Sequence, residues 1–396
     1  MLGLILLLGA CGARSGPEPT LECPEPGRVA QGSVLLVNAY YLQEEATRDL
    51  RLGLGASPHL EEIFQKARAL GVQVVRTSAF NDDPARAGDT AIQLAPLVYD
   101  ETSWRGLDLV LARAAAYGLK LVLPLGNYWS AYGGAQQYVA WAGLPEPVEG
   151  DPRFFTDAGV RAHYLRHVQN LLARVNTVDG LPYAGHPSVL AWELLNEPRG
   201  KGLDPFGLQM RAWVDEVART VKAADPKSLV STGEEGFDVS YDGYDASYWK
   251  HVAPRLFNSG SSFTSNLASP WVDLASVHLY PELWGARGAE LDELGIRWLS
   301  EHDAIARAQG KRLLVGEFGL KNFGGYPLDL RRDTYATWLR CARRLDATAV
   351  GPWLLSYDAR PDNWDPFTFY FKDGTRPEDP ANRYADLLLR ASRDAE

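Results

Sequence analysis

The chain has 396 residues, 46% of them hydrophobic and 23% charged, which excludes a disordered polypeptide and leaves room for one large domain or several small ones. Lys and Arg number 40 against 50 Asp and Glu, and the net charge of −10 argues against a nucleic-acid binder. Aromatic residues make up 11% and include 12 Trp, more than packing asks for, and exposed aromatic faces are a common way to hold sugar rings.

Residues 1–10 are almost wholly apolar and too short to span a bilayer core of roughly 30 Å, so they read as the apolar stretch of a secretory signal. The stretch closes with Leu8, Gly9, Ala10 and Cys11, which resembles a bacterial lipobox and makes Cys11 the expected lipidation site. Residues 11–30, rich in Pro, Gly and Glu, read as a tether. The expected product is exported, either secreted or held as a lipoprotein at the cell surface or in the periplasm. It would meet a membrane only through that N-terminal lipid. Cys23 and Cys341 either pair, which an exported compartment permits, or remain two free thiols.

Residues 31–396 read as a single domain. Eight strand-like apolar runs occur, at 33–39, 72–79, 119–125, 188–195, 228–232, 272–279, 312–318 and 347–355. Amphipathic helical stretches lie between them, and several stop at a glycine (Gly71, Gly118, Gly310) just before the next strand. Strands alternating with helices imply a parallel sheet, and eight such units point to one (β/α)8 barrel. An open doubly wound sheet is the alternative, but no glycine-rich phosphate loop follows the first run.

Chemistry in such a barrel belongs at the C-terminal ends of the strands. Those ends carry Asn38 and Tyr40, Arg76, Asn127 and Trp129, Asn196 and Glu197, Glu235, His278 and Tyr280, Glu317, and Trp353. If the fourth and seventh strands face one another, Glu197 and Glu317 can approach to about 5 Å, the spacing of a retaining glycosidase. One carboxyl must then carry a proton for the leaving oxygen, and the other must be ionised to attack. Arg76 and Tyr280 are candidates for holding Glu317 as the anion, while Glu197 is better placed to keep its proton.

Several segments are more specific: VVRTSAFND (74–82), IQLAPLVYDETSWRGLD (92–108), YGLKLVLPLGNYWSAYGGAQQYVAW (117–141), HPSVLAWELLNEPR (186–199), STGEEGF (231–237) and VHLYPELW (277–284). They resemble glycoside hydrolase family 5, and among its members the plant and fungal-type endo-β-1,4-mannanases. The resemblance implies retaining endo-hydrolysis of β-mannan polysaccharide or manno-oligosaccharides, with no cofactor; a monomer is expected. Position by position, Glu197 resembles the acid/base, Glu317 the nucleophile and Asn196 the residue that binds the sugar 2-hydroxyl. Arg76 and Tyr280 resemble the pair that orients the nucleophile, and His278 matches an active-site histidine. Trp129 and Trp284 resemble subsite walls, with Asn127 a further substrate-binding candidate. Another family 5 activity, an exo-β-mannosidase or a β-glucanase, would share the two carboxylates. A weakly catalytic glycan-binding protein of the same fold is the alternative from a different class.

The family usually ends its eighth strand with a Trp beneath the cleaved sugar, and the position aligned with it here is Leu355. Trp353, Tyr357 and Trp364 are the candidates to replace it, with Trp353 about 6–7 Å deeper along an extended strand. Tyr128 stands where the family often has Asn. His163 and His167 have the spacing of a metal pair, but Tyr164 replaces the Glu of a zinc protease, so they read as exposed helix residues. The acidic loop near Asp82 lacks calcium-ligand spacing, and no metal is expected. No GxSxG elbow occurs, which disfavours a serine hydrolase.

Overall fold

The apolar runs form eight parallel strands: β1 Val34–Asn38, β2 Val74–Arg76, β3 Lys120–Pro124, β4 Val189–Glu193, β5 Leu229–Ser231, β6 Leu274–Leu279, β7 Arg312–Phe318 and β8 Ala349–Val350. Each pairs with its sequence neighbours, and β8 returns to β1 through Val34 opposite Ala349, closing the barrel. A computed structural model describes residues 22–24, 32–254, 259–288, 290–321, 328–360 and 365–376. The expected signal segment, Cys11, almost all of the tether and Trp364 lie outside the described residues.

Alternation along the strands explains why the sheet closes. Leu36, Val74, Val122, Ala191, Leu314 and Ala349 form one apolar layer inside the barrel. Their neighbours Val37, Val75, Leu123, Trp192 and Val315 join the larger core beneath the helices. Full burial of each large apolar side chain contributes about 1.5–3 kcal/mol. Helix Glu101–Ala116 begins at Asp100, whose carboxylate accepts the Ser103 N–H at 2.8 Å. It ends before Gly118, where φ is +66° and a side chain would be strained. Gly71 and Gly310 follow helices Pro58–Ala69 and Glu290–Ala308 in the same way. No helix among the described residues is long and apolar enough to cross a membrane.

Three features differ from expectation or resolve an open one. The eighth run is not one strand: β8 stops at Val350, and Leu355–Ser356 pairs separately with Phe369–Tyr370. Gly351 and Pro352 intervene, and proline has no N–H to continue a ladder. His163 and His167 are not exposed. His167 is fully buried with Nδ1 3.1 Å from the Tyr99 hydroxyl, and half-buried His163 has Nε2 3.1 Å from Gln93 Oε1. Gln93 and Tyr99 belong to an antiparallel hairpin, Gln93–Ala95 with Val98–Tyr99, that covers this helix face. Finally, Cys23 and Cys341 form a disulfide with their Cα atoms 5.3 Å apart. Cys341 lies late in helix Leu328–Arg344, which leads into β8, so the bond fastens residue 23 on the side of the barrel where the strands begin.

Candidate active site

A cavity of about 500 Å³ opens where the strands end. Arg76, Asn127, Trp129, Asn196, Glu197, Tyr280, Glu317 and Trp353 all line it, as do Glu235 and Tyr40. Strand register accounts for the gathering. β3 and β4 continue their pairing beyond their formal ends, with the Asn196 N–H donating to Gly126 O at 2.8 Å and the Tyr128 N–H to Asn196 O at 3.0 Å. Asn127 and Asn196 thus sit side by side, and Asn196 Nδ2 donates to Asn127 Oδ1 at 3.0 Å. Glu197 then turns sharply with φ at +52°, a conformation that costs a non-glycine residue on the order of 1–3 kcal/mol. Its N–H donates to Gly233 O at 2.8 Å. Any residue with a Cβ at position 233 would meet Leu195 O at 2.0 Å, so the turn requires glycine there.

Arg76 is the hub. Nε donates to Glu193 at 2.7 Å, Nη1 to Glu317 Oε1 at 2.5 Å, and Nη2 to Asn196 Oδ1 at 2.7 Å. Burial alone would lower its affinity for a proton, but Glu193 and Glu317 hold it well above the usual guanidinium range. The Tyr280 hydroxyl donates to the other oxygen of Glu317 at 2.6 Å. Burial, then the charge of Glu317, push that phenol well up and keep its proton in place.

Glu197 has different partners. The Trp129 indole donates to Oε2 at 2.6 Å, and His278 Nδ1 lies 2.6 Å from Oε1. The same Nδ1 is 3.6 Å from Glu317, and one ligand atom each of Glu197, His278 and Glu317 all lie within 4.8 Å of one another. His278 is fully buried behind the two carboxylates. Burial would push its imidazole down, but Glu317 and Glu197 overrule it and raise it. Burial would likewise raise Glu197, but the hydrogen bond and charge of His278, with Trp129 and Arg199, hold it below the usual range. Burial raises Glu317, and of its neighbours Glu197 adds to that while His278 and Arg76 oppose it. The sequence expectation had Glu197 keep the proton, whereas these surroundings pull its carboxyl below the usual range and raise that of Glu317. The reason is the imidazole, 1.0 Å nearer to Glu197 than to Glu317.

Two aromatic expectations change. Trp353 is half-buried at the cavity wall, with its ring stacked on Tyr40 at 5.2 Å and an interplanar angle of 8°. Leu355 and Tyr357 are fully buried, which leaves Trp353 as the described candidate for a sugar platform. The period-two count from Leu355 back to Trp353 assumed an extended strand, but β8 stops at Val350 and residues 351–354 belong to no strand. Trp284, expected as a subsite wall, does not line the cavity. It packs against Trp298 at 4.8 Å and Phe237 at 6.0 Å, and its neighbour Leu283, 55% exposed, faces the cleft instead.

Sequence reading assigned no role to Glu193 or Arg199. Glu193 is a fully buried carboxylate at the end of β4, flanked by Trp192 and Leu194, a pattern that calls for a buried cation. Arg199 grips Glu235 through Nε at 2.6 Å and Nη2 at 2.8 Å, and its guanidinium lies 4.7 Å from the Trp129 ring and 5.0 Å from Phe237. Burial, then the charge of Glu197, push Glu235 up against the pull of Arg199.

Residues 53–338 match the family described as GH family 5 beta-mannosidase-like. A rice relative (Oryza sativa subsp. japonica), mannan endo-1,4-beta-mannosidase 4, is 38% identical over 286 residues, which are 71% of this chain and 59% of the relative. An Arabidopsis thaliana relative, mannan endo-1,4-beta-mannosidase 3, is 36% identical over 71% of this chain and 66% of its own length. The chain thus spans about two thirds or less of these two relatives. Among solved structures, the endo-beta-1,4-mannanase from Thermotoga petrophila superposes with a TM-score of 0.79 at 27% identity, covering 93% of this chain and 77% of that one.

Proposed function

The chain belongs to glycoside hydrolase family 5, among its beta-mannosidase-like members, and from that premise we propose that it is a retaining endo-β-1,4-mannanase. The observation that carries the proposal is the unequal clasp on two facing carboxylates. Glu317 is held at both oxygens by Arg76 and Tyr280, within 4.8 Å of a Glu197 held by His278 and Trp129. That separation leaves no room for a water between carboxylate and sugar, as inversion would need, and suits attack by Glu317 itself.

Glu317 attacks the anomeric carbon as the bond to the glycosidic oxygen breaks, and that oxygen takes a proton from Glu197. Water then gives its proton back to Glu197, and its oxygen displaces Glu317 with a second inversion. His278 Nδ1 lies 2.6 Å from Glu197 Oε1, close enough to share a proton with the acid/base carboxyl. Arg76 meanwhile opposes the upward push of burial on Glu317 and so favours its anion. The Asn196 amide, fixed by Arg76 on one side and Asn127 on the other, presents its remaining N–H to the sugar 2-hydroxyl. Trp353 supplies the apolar floor.

The plant relatives' names support endo action on mannan. The disulfide supports an exported protein, because such bonds persist in oxidising compartments. Lipidation at Cys11 and a monomeric state complete the proposal. The test is hydrolysis of galactomannan, glucomannan and carboxymethylcellulose, with the product anomer followed by NMR. The expected result is a mixture of manno-oligosaccharides that appear first as the β-anomer. Faster cleavage of the cellulose derivative would sink the mannanase reading, and a first product of α configuration would sink the retaining mechanism.

A further inference from the structure

A buried carboxylate that takes no part in the hydrolytic steps stands just behind the cavity wall. Glu44 lies in the first turn of helix Leu42–Arg51, which follows β1, and is 3% exposed. Both its oxygens are engaged from loops at the C-terminal ends of other strands. Oε1 accepts from Arg86 Nη1 at 2.6 Å, in the loop after β2. Oε2 accepts from the Tyr132 hydroxyl at 2.6 Å, after β3, and from Arg360 Nη2 at 2.9 Å, after β8. Arg360 Nε also donates to Glu45 at 2.6 Å, and its guanidinium lies 4.4 Å from the Tyr41 ring. A carboxylate this far out of water keeps its place only with donors on both oxygens, and here they come from several loops at once.

What those loops carry is a wall of rings. Tyr40, Phe80, Tyr132 and Trp353 line the cavity, whereas Glu44 does not. Tyr132 stands edge-on to Tyr40 at 5.7 Å and to Phe80 at 6.2 Å, and Tyr40 in turn stacks on Trp353. The backbone of Tyr132 has φ at +58°, a strained conformation that persists only where the surroundings fix it. The bond to Glu44 fixes it, together with the Arg86 guanidinium 5.0 Å from the ring centre. Burial, then the charge of Glu44, push the phenol well up, so it remains a donor. Strand order sets β8 and β1 across the barrel from β4, the strand that leads to Glu197. The departing sugar lies on the Glu197 side, where its oxygen takes the proton. The sugars that stay behind therefore extend towards Tyr40 and Trp353.

We infer that Glu44 is a positioning residue for the sugars on the retained side of the cleaved bond. It fixes Tyr132 through the phenol and, through Arg360, the segment that carries Trp353, without touching substrate. The inference rests on the mannanase reading. Rings fixed in advance have less freedom to lose when a sugar settles on them, so the effect falls on binding of the chain. The proton and bond-making steps at Glu197 and Glu317 are not where it acts.

The test is steady-state kinetics on mannohexaose with Glu44→Ala, Tyr132→Phe and the double variant. Tyr132→Phe keeps the ring and every ion pair, and removes only the hydroxyl that Glu44 accepts from. The expected result is a KM about tenfold higher for Glu44→Ala and about threefold higher for Tyr132→Phe, with kcat within about twofold of the parent in both. The double variant should match Glu44→Ala, because the bond it removes is already gone, whereas independent sites would multiply the two effects. A purely structural role would lower the melting temperature and the active fraction, hence kcat, and leave KM alone. That outcome in Glu44→Ala would overturn the inference. An unchanged KM in Tyr132→Phe, or multiplying effects in the double variant, would overturn it too. A parent chain inactive on mannohexaose would instead overturn the mannanase reading, which separates the two claims.

Discussion

At the mouth of the barrel, His278 Nδ1 lies 2.6 Å from Glu197, and under the hairpin His167 Nε2 lies 3.9 Å from Asp82. His278, His167 and Asp82 are fully or almost fully out of water, and Glu197 is only slightly less enclosed. Yet His278 is raised and Glu197 lowered, which favours charge on both, whereas His167 falls to about 4 and Asp82 rises to about 7, which favours neutrality on both. The difference is the company. At the mouth, Glu317 and the hydrogen bond to Glu197 raise His278 against the opposing charge of Arg76, and His278 with Trp129 and Arg199 lowers Glu197. Among the described residues, Asp82 has the neutral donors Gln93 at 3.1 Å and Tyr138 at 2.9 Å. A buried pair stays charged where it is hydrogen-bonded with further charges beside it, and is pushed towards neutrality where neutral donors alone oppose burial.

The largest effects come from removing the charges outright. Glu317→Ala should lower kcat/KM by about 10⁴-fold or more, and Glu197→Ala by roughly 10²–10⁴-fold. An aryl mannoside with a good leaving group separates the roles, because it needs no acid. It should restore the first step for Glu197→Ala and leave Glu317→Ala inactive. Rescue of both variants, or of neither, would break the assignment. Next comes Arg76→Met, which takes the guanidinium away from Glu193 and Glu317. With Glu193 and Glu317 left uncompensated, a stability loss of about 3–5 kcal/mol is expected in denaturant melts. Arg76→Lys keeps a charge without the fork, and should stay folded with turnover still well below the parent. His278→Asn is milder. His278 lowers both Glu197 and Glu317, so both carboxyls should rise without it. The acidic limb of kcat/KM should therefore move to higher pH, with a loss of about 10- to 100-fold at the parent's optimum. An unmoved limb would remove the imidazole from the mechanism.

The sequence exposed one side of this comparison and concealed the other. All eight barrel strands were legible because apolar runs alternate with amphipathic helices, and Arg76, Glu197, Tyr280 and Glu317 because a polar residue ending an apolar strand has few structural reasons to be there. His167 was misread because its burial comes from a hairpin more than 60 residues earlier in the chain, which no local pattern reports. Trp353 was placed too deep because the ruler of an extended strand was applied to residues that lie outside any strand. The downward pull on Glu197 comes from an imidazole 1.0 Å nearer to it than to Glu317, a distance that no sequence pattern reports.

The smallest effect on turnover should come from Asp82→Asn, which nonetheless tests the comparison from its neutral side. Asp82 rises from 3.8 to about 7 on folding, chiefly by burial. Between those values the folded chain binds a proton that the unfolded chain has lost. Stability from this group is therefore fully present below about 4 and is lost as pH rises through about 7. His167, displaced from 6.5 to about 4, acts in the opposite sense: its contribution is present above 6.5 and is lost as pH falls towards 4. The two partly offset one another in the parent, so the parent's own pH profile cannot separate them. The amide of the Asp82→Asn variant keeps the shape and removes only the titrating group. A tenfold change in proton affinity is worth about 1.4 kcal/mol, so stability of the variant relative to the parent should climb by a few kcal/mol between pH 4 and pH 8. Denaturant melts at those two values measure it, with turnover on mannan expected to stay close to the parent. A flat difference would mean that Asp82 is ionised in the fold, and that a buried carboxyl here keeps its charge without a cation beside it.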